Sequence, residues 1–201
     1  MPSVPEQKEE TRQRIIRSAR RLFNRRGFAG VTIDQIMADA GLTHGGFYRH
    51  FTHKEELYAL AIREFGNNPM QDAWQVRHID PQARDRELAG MIVNAYLSRD
   101  HRDDRDGSCP MVGLPADVAR ENAVVKEALG DILEMMVGIF ASNLDGDEAN
   151  RRKRALALVS TCVGGMVLAR ALDEAPADEV RRSAREFVLA SANWPLGERA
   201  D

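Results

Sequence analysis

Cysteine is scarce in this 201-residue sequence: Cys109 and Cys162 stand far apart with no Cys-x-x-Cys spacing. That excludes a disulfide framework and a cysteine-ligated zinc site. Long apolar runs are missing too, with nothing approaching the roughly 18 residues a membrane-spanning helix needs. The N-terminal stretch MPSVPEQKEETRQR lacks the apolar core of a secretion signal, so a cytoplasmic protein with no membrane partner is expected. HExxH, GxSxG and phosphate-binding glycine loops are absent. No catalytic residue, metal ligand set or cofactor is therefore expected, and His78 beside Asp80 and His101 beside Asp100 read as exposed pairs. Neither charge sign dominates, with 28 basic and 31 acidic residues and a net charge of -3.

What is present is the composition of an ordinary folded protein, 43% hydrophobic and 29% charged. The charge is unevenly spread. Residues 1–66 carry 11 Lys/Arg against 8 Asp/Glu, and the remainder 17 against 23. A basic head on an acidic body suits a protein that docks one end on phosphates, where each neutralised phosphate releases counterions.

The only recurring periodicity is helical. From Gln7 to Arg26, Ile15, Ile16, Ala19, Leu22 and Phe23 recur at three- and four-residue spacing, leaving Arg12, Arg14, Arg17, Arg20, Arg21 and Arg25 largely on other faces. Gly27 ends this helix. Thr32 with Gln35 forms a capping-box pattern, followed by Ile33, Ile36, Met37 and Ala40 as the apolar face of a short helix that Gly41 stops in a left-handed conformation. A third short helix is expected over His44–Phe51 behind a Thr43 cap. Thr52 with Glu55 opens a fourth, from about His53 to Phe65. Gly66-Asn67-Asn68-Pro69 then marks a boundary, dividing the chain into domains over 7–66 and 67–201.

A helix of about eight residues, a glycine turn and a second short helix is the arrangement that presents the second helix to DNA. Its start is unusual: His44-Gly45-Gly46 places two glycines in a helix, each costing about 1 kcal/mol relative to alanine. Lost Cβ atoms allow close approach to another surface. Tyr48, Arg49, His50 and Lys54 add hydroxyl, guanidinium, imidazole and ammonium groups suited to phosphate oxygens or base edges. Phe47 and Phe51 divide between core and contact, with core the stronger reading for both.

The stretch VTIDQIMADAGLTHGGFYRHFTHKEEL, Val31 to Leu57, resembles the DNA-binding domain of TetR-type repressors, and the resemblance extends over Thr11 to Phe65. It implies that Thr32 and Thr43 cap their helices near phosphates, that Tyr48 and Lys54 contact the backbone, and that His44, Gly45, Gly46 and either Phe47 or Arg49 read bases. It departs from the family at Met37, where alanine is usual. Either the two helices sit farther apart or Gly45 and Gly46 make room.

The C-terminal part reads as helices over about 70–78, 82–99, 110–120, 122–144, 147–173 and 177–192, with no strand, so the fold class is all-α: a three-helix helix-turn-helix domain followed by a helical ligand-binding and dimerisation domain. Asp100–Gly107 reads as a solvated loop. The resemblance implies an inducer cavity in this body. Trp74, Met91, Tyr96, Met111, Met135, Phe140 and Met166 are its candidate lining, since methionine surfaces adapt to varied ligands, though methionine at helical spacing is more often core. Cys109, before Pro110 at a helix start, is either an oxidant sensor or a buried inert thiol, the second being the stronger reading. Cys162 reads as packing. Gly164-Gly165 amid helix formers, with Val159, Cys162, Gly165, Met166, Ala169, Ala184, Phe187 and Val188, is the candidate dimer interface. The resemblance implies a homodimer that binds a pseudo-palindromic double-stranded DNA operator and is released by a small-molecule effector.

Overall fold

A computed structural model describes residues 4–67 and 84–195. The stretch expected as a helix over 70–78, with Trp74, His78, Asp80 and Pro81, lies outside the described residues. Among those described there is no strand, and no helix is long and apolar enough to cross a membrane. The helices are α1 (Val4–Arg26), α2 (Ile33–Asp39), a 3-10 segment (His44–Arg49), α3 (Lys54–Asn67), α4 (Arg86–Tyr96), α5 (Arg99–Asp103), α6 (Pro110–Gly113), α7 (Pro115–Val118), α8 (Ala123–Ser142), α9 (Glu148–Arg170) and α10 (Glu174–Ala192). They form two compact units. One comprises Met1–Pro69 with Cys109–Ile132, the other Met70–Ser108 with Leu133–Asp201. Residues 109–132, placed by sequence in the second domain, thus group with the first, a non-local association that no local pattern encodes.

In the first unit, Ile15, Ile16, Ala19 and Phe23 of α1 are buried, as are Leu57, Tyr58, Ala61, Ile62 and Phe65 of α3, and the two helices pack together. Thr32 caps α2 by the full reciprocal box: Gln35 N donates to Thr32 Oγ1 at 3.2 Å, and Thr32 N donates to Gln35 Oε1 at 3.0 Å. Gly27 and Gly41, at φ of +69° and +68°, end α1 and α2 in the left-handed region that a Cβ disfavours. The end of α2 is tied to α1 through Asp39, which accepts from Ser18 Oγ and, at 2.6 Å, from Arg21. The Ser18 hydrogen bond above all, then Arg21, holds the Asp39 carboxyl below its ordinary pKa despite partial burial. The link between α1 and α2 is clamped at Phe28: its N–H donates to Asp117 of α7 at 3.0 Å and its carbonyl accepts from Lys54 Nζ at 2.5 Å. Ahead of α3, Thr52 N donates to Glu56 at 2.7 Å, so the carboxylate reaching back is one residue beyond the expected Glu55.

In the second unit α9 and α10 form an antiparallel hairpin, with Arg154 donating to the Ser191 carbonyl at 2.9 Å and Gly165 set against Ala184. A Cβ on Gly165 would lie 2.8 Å from that of Ala184, so glycine permits this approach. Phe140 meets Trp194 edge-on at 4.9 Å, and Trp194 Nε1–H donates to the Asn143 carbonyl at 3.0 Å. The stretch expected to be a solvated loop at Asp100–Gly107 is in part α5. His101, expected exposed, is buried. Ser98 Oγ caps α5 by accepting from His101 N at 3.1 Å, Nδ1 of His101 lies 2.6 Å from the Tyr96 carbonyl, and Arg170 donates to the carbonyls of His101 and Asp104. Surrounding charges masked this ring in the sequence. Its spacing of four from Leu97 is the one local sign of an inward face.

Burial lowers the His101 pKa from 6.5 to about 4. The unfolded chain binds this proton more readily than the folded one, so the sign is fixed. Above pH 6.5 His101 costs nothing; as pH falls from 6.5 towards 4, stability drops by up to about 1.4 kcal/mol per pH unit. Urea unfolding at several pH values should show this slope, and His101→Gln should flatten it. An equal slope in the variant would assign the acid sensitivity to other groups.

Candidate nucleic-acid interface

Two glycines disfavour an α-helical turn after Thr43, and His44–Arg49 closes as a 3-10 segment rather than the α-helix expected. It ends where the N–H groups of His50 and Phe51 both bond to the Phe47 carbonyl. Thr43 precedes it with no side-chain cap hydrogen bond, correcting the capping role expected of it. Of the two glycines, Gly46 alone makes room for Met37. Met37 is fully buried, and a Cβ on Gly46 would meet its terminal methyl at 3.3 Å. Gly45 has open space around it.

The segment sorts its side chains sharply. Phe47 is fully buried against Phe51, 5.5 Å between ring centroids, so it is core and not a base contact. Tyr48 is 63% exposed, braced edge-on by the Phe47 ring at 5.2 Å. His44 and Arg49 are exposed and His50 half-buried. Lys54 turns inward: besides its bond to Phe28, its ammonium lies 4.1 Å from the Phe28 ring centroid, and burial lowers its pKa. That cation holds the loop, and the expected phosphate ligand is a structural clamp instead. Thr32 remains exposed at the start of α2.

A groove of about 900 Å³ lies beside the segment, lined by Gln7, Lys8 and Thr11 of α1 and by Leu42, Thr43, Gly45, Gly46, Arg49 and His50. Its charged walls, Lys8 and Arg49, are basic, and the His50 pKa is lowered first by burial and then by the charges of Lys8, Arg12 and Arg49. Gln7, Lys8 and Thr11 were not singled out by sequence, which drew attention to the arginines of α1 instead. Several of those are engaged within the unit: Arg21 on Asp39, Arg12 over the Phe51 ring and Arg20 over the Phe65 ring.

Of the described candidate effector residues, Tyr96, Phe140 and Met166 are buried in the second unit, Met91 is exposed on α4, and Met111 is buried in the first unit. Met135 lines a groove of about 580 Å³ in the second unit, with Arg84, Val137, Gly138, Ala141 and Arg151 among its walls. The interface candidates Val159, Cys162, Gly165, Met166, Ala169 and Val188 are buried within the chain. Of these, Gly165 is set against Ala184 of α10. Ala184 is half-buried and Phe187 exposed. Also exposed on the same hairpin are Val167, Leu168 and Leu172. Cys109 is fully buried, favouring the inert thiol. Burial pushes the Cys162 thiol up to about 12.

Residues 15–61 match the family profile described as bacterial regulatory proteins, tetR family. The HTH-type transcriptional regulator TtgR of Pseudomonas putida is 46% identical over 95 residues, 46% of this chain and 45% of its own. TcmR of Streptomyces glaucescens, another HTH-type transcriptional regulator, is 29% identical over 171 residues, 78% of this chain and 71% of its own. Apart from TcmR, the chain spans less than half the length of the curated relatives it matches, between 25% and 45%. A solved TetR transcriptional regulator from Chloroflexus aurantiacus shares the fold at a TM-score of 0.70 and 22% identity, covering 93% of this chain and 96% of that one. A capped short helix, a glycine-stopped turn and an exposed Tyr-Arg pair thus occur in a chain whose relatives regulate transcription, and its N-terminal part, residues 15–61, is similar to the tetR family of bacterial regulatory proteins.

Proposed function

We propose that this protein is a cytoplasmic, ligand-responsive repressor that binds a pseudo-palindromic operator as a homodimer and leaves it when a small-molecule effector binds. DNA binding falls to residues 7–66 and effector binding and dimerisation to 67–201. The observation that carries the reading is the pairing of exposed His44, Tyr48 and Arg49 with the basic groove that adds Lys8 of α1. Donors on two elements can grip the backbone on either side of a segment laid into the major groove. Gln7, Lys8, Thr11, Tyr48, Arg49 and His50 are the proposed backbone contacts, with Thr32 and Thr43 beside them, and His44, Gly45 and Gly46 face the bases. The test is binding to duplexes from the region upstream of the gene against scrambled duplexes over a salt series. Specific binding should exceed random binding by about 10³-fold or more and fall steeply with salt. Equal affinity for both duplexes would refute the proposal.

Dimerisation is assigned to the exposed apolar side chains of the α9–α10 hairpin, Val167, Leu168, Leu172 and Phe187. Large apolar side chains left exposed on one hairpin suit a self-complementary interface. Leu168→Glu combined with Phe187→Glu should yield a folded monomer in sedimentation and weaken operator binding by at least tenfold. A variant still dimeric would move the interface elsewhere.

A further inference from the structure

Asp34 has no assigned role, yet it touches the one planar side chain at the front of the recognition segment. Its Oδ1 lies 2.6 Å from Nδ1 of His44, and both side chains are solvent-exposed, 73% and 49%. The Tyr48 ring stands edge-on to the imidazole at 5.9 Å. After His44 come two glycines and the buried Phe47, so of residues 44–47 His44 alone presents an exposed side chain. We infer that Asp34 sets the base preference of this protein by fixing which nitrogen of His44 carries the proton.

The chemistry follows from the carboxylate, which only accepts hydrogen bonds. Against Asp34, Nδ1 must be the protonated nitrogen. In the neutral ring Nε2, on the far side, is then a lone-pair acceptor. In the major groove an acceptor finds partners in the exocyclic amines of adenine and cytosine, whereas guanine N7 and O6 and thymine O4 are themselves acceptors. Asp34 therefore directs His44 towards adenine or cytosine. Without the carboxylate the ring can turn and exchange tautomers, so that it also serves as a donor to guanine. The inference rests on the DNA-reading role proposed above and adds a positioning residue that does not itself meet the base.

Selection from a random duplex pool tests it with the wild type, Asp34→Ala, Asp34→Asn and His44→Ala. The wild type should enrich adenine or cytosine at one position of each half-site, and guanine there should weaken binding by roughly 10- to 100-fold. Asp34→Ala and His44→Ala should both lose the preference at that position and keep those at the others. Asp34→Asn, whose amide can accept from Nδ1–H or donate to a bare Nδ1, no longer fixes the tautomer and should weaken the preference as Asp34→Ala does. Circular dichroism should show all variants folded, since the pair lies on the surface. The inference is overturned if Asp34→Ala keeps the wild-type preference, or if the wild type selects guanine or thymine at the position His44→Ala affects. Enrichment of no sequence by any of the proteins, wild type included, would overturn the DNA-reading role itself.

Discussion

Alanine at both Tyr48 and Arg49 is expected to lower operator affinity by about 100-fold or more, since each contact of this kind contributes about 1–3 kcal/mol and a dimer loses it twice. Thermal stability should barely change. Both side chains are exposed on the outer face of the 3-10 segment, and substitutions at such positions shift folding by about 0.5 kcal/mol. Fluorescence anisotropy over a salt series separates the possible roles. Removing a phosphate contact lowers the salt slope by about 1 and weakens all sequences alike, whereas removing a base contact relaxes preference at one position with the slope intact. The proposed function places Tyr48 and Arg49 in the first class. Unchanged affinity in the double variant would remove the recognition role from this segment.

Phe47→Ala should be the most destabilising single change in the recognition segment. The ring is fully buried, in contact with Phe51 and bracing Tyr48, and truncating a buried phenylalanine costs about 3–5 kcal/mol. That is a large fraction of the roughly 5–15 kcal/mol by which domains are stable. DNA binding is then lost through unfolding. Phe47→Leu keeps most of the volume and should retain both fold and operator affinity. Urea denaturation of the two variants checks this. If Phe47→Ala unfolded like the wild type while losing sequence discrimination, Phe47 would be a base contact after all.

The pairing of these variants reflects what could be read without coordinates. The capping box at Thr32 and Gln35, the stops at Gly27 and Gly41 and the inward face of α1 are local properties of a few consecutive residues, and each was legible in their order. So was the helix-turn-helix, because its elements are short and adjacent. The 3-10 form of His44–Arg49 was not anticipated, although its cause, two successive glycines, stands in the sequence.

What escaped the sequence depended on distant partners. Lys54 was read as a phosphate ligand because a lysine near a recognition segment faces solvent by default. Only the tertiary arrangement brings the Phe28 carbonyl and ring within its reach. His101 was hidden by charged neighbours until α5 formed and Arg170, 69 residues on, closed over its carbonyl. Gly165 of α9 lies against Ala184 of α10 in the same chain, whereas Gly164 has open space around it. Residues 109–132 grouped with the N-terminal unit through contacts such as Asp117 to Phe28. For this protein the sequence alone determined the helices, their caps and the class of DNA-reading element, since those arise from spacing along a few turns. Tertiary structure decided which cations stay free for phosphate, which aromatic rings are core and which apolar stripe is left outside, because exposure depends on what the rest of the chain covers.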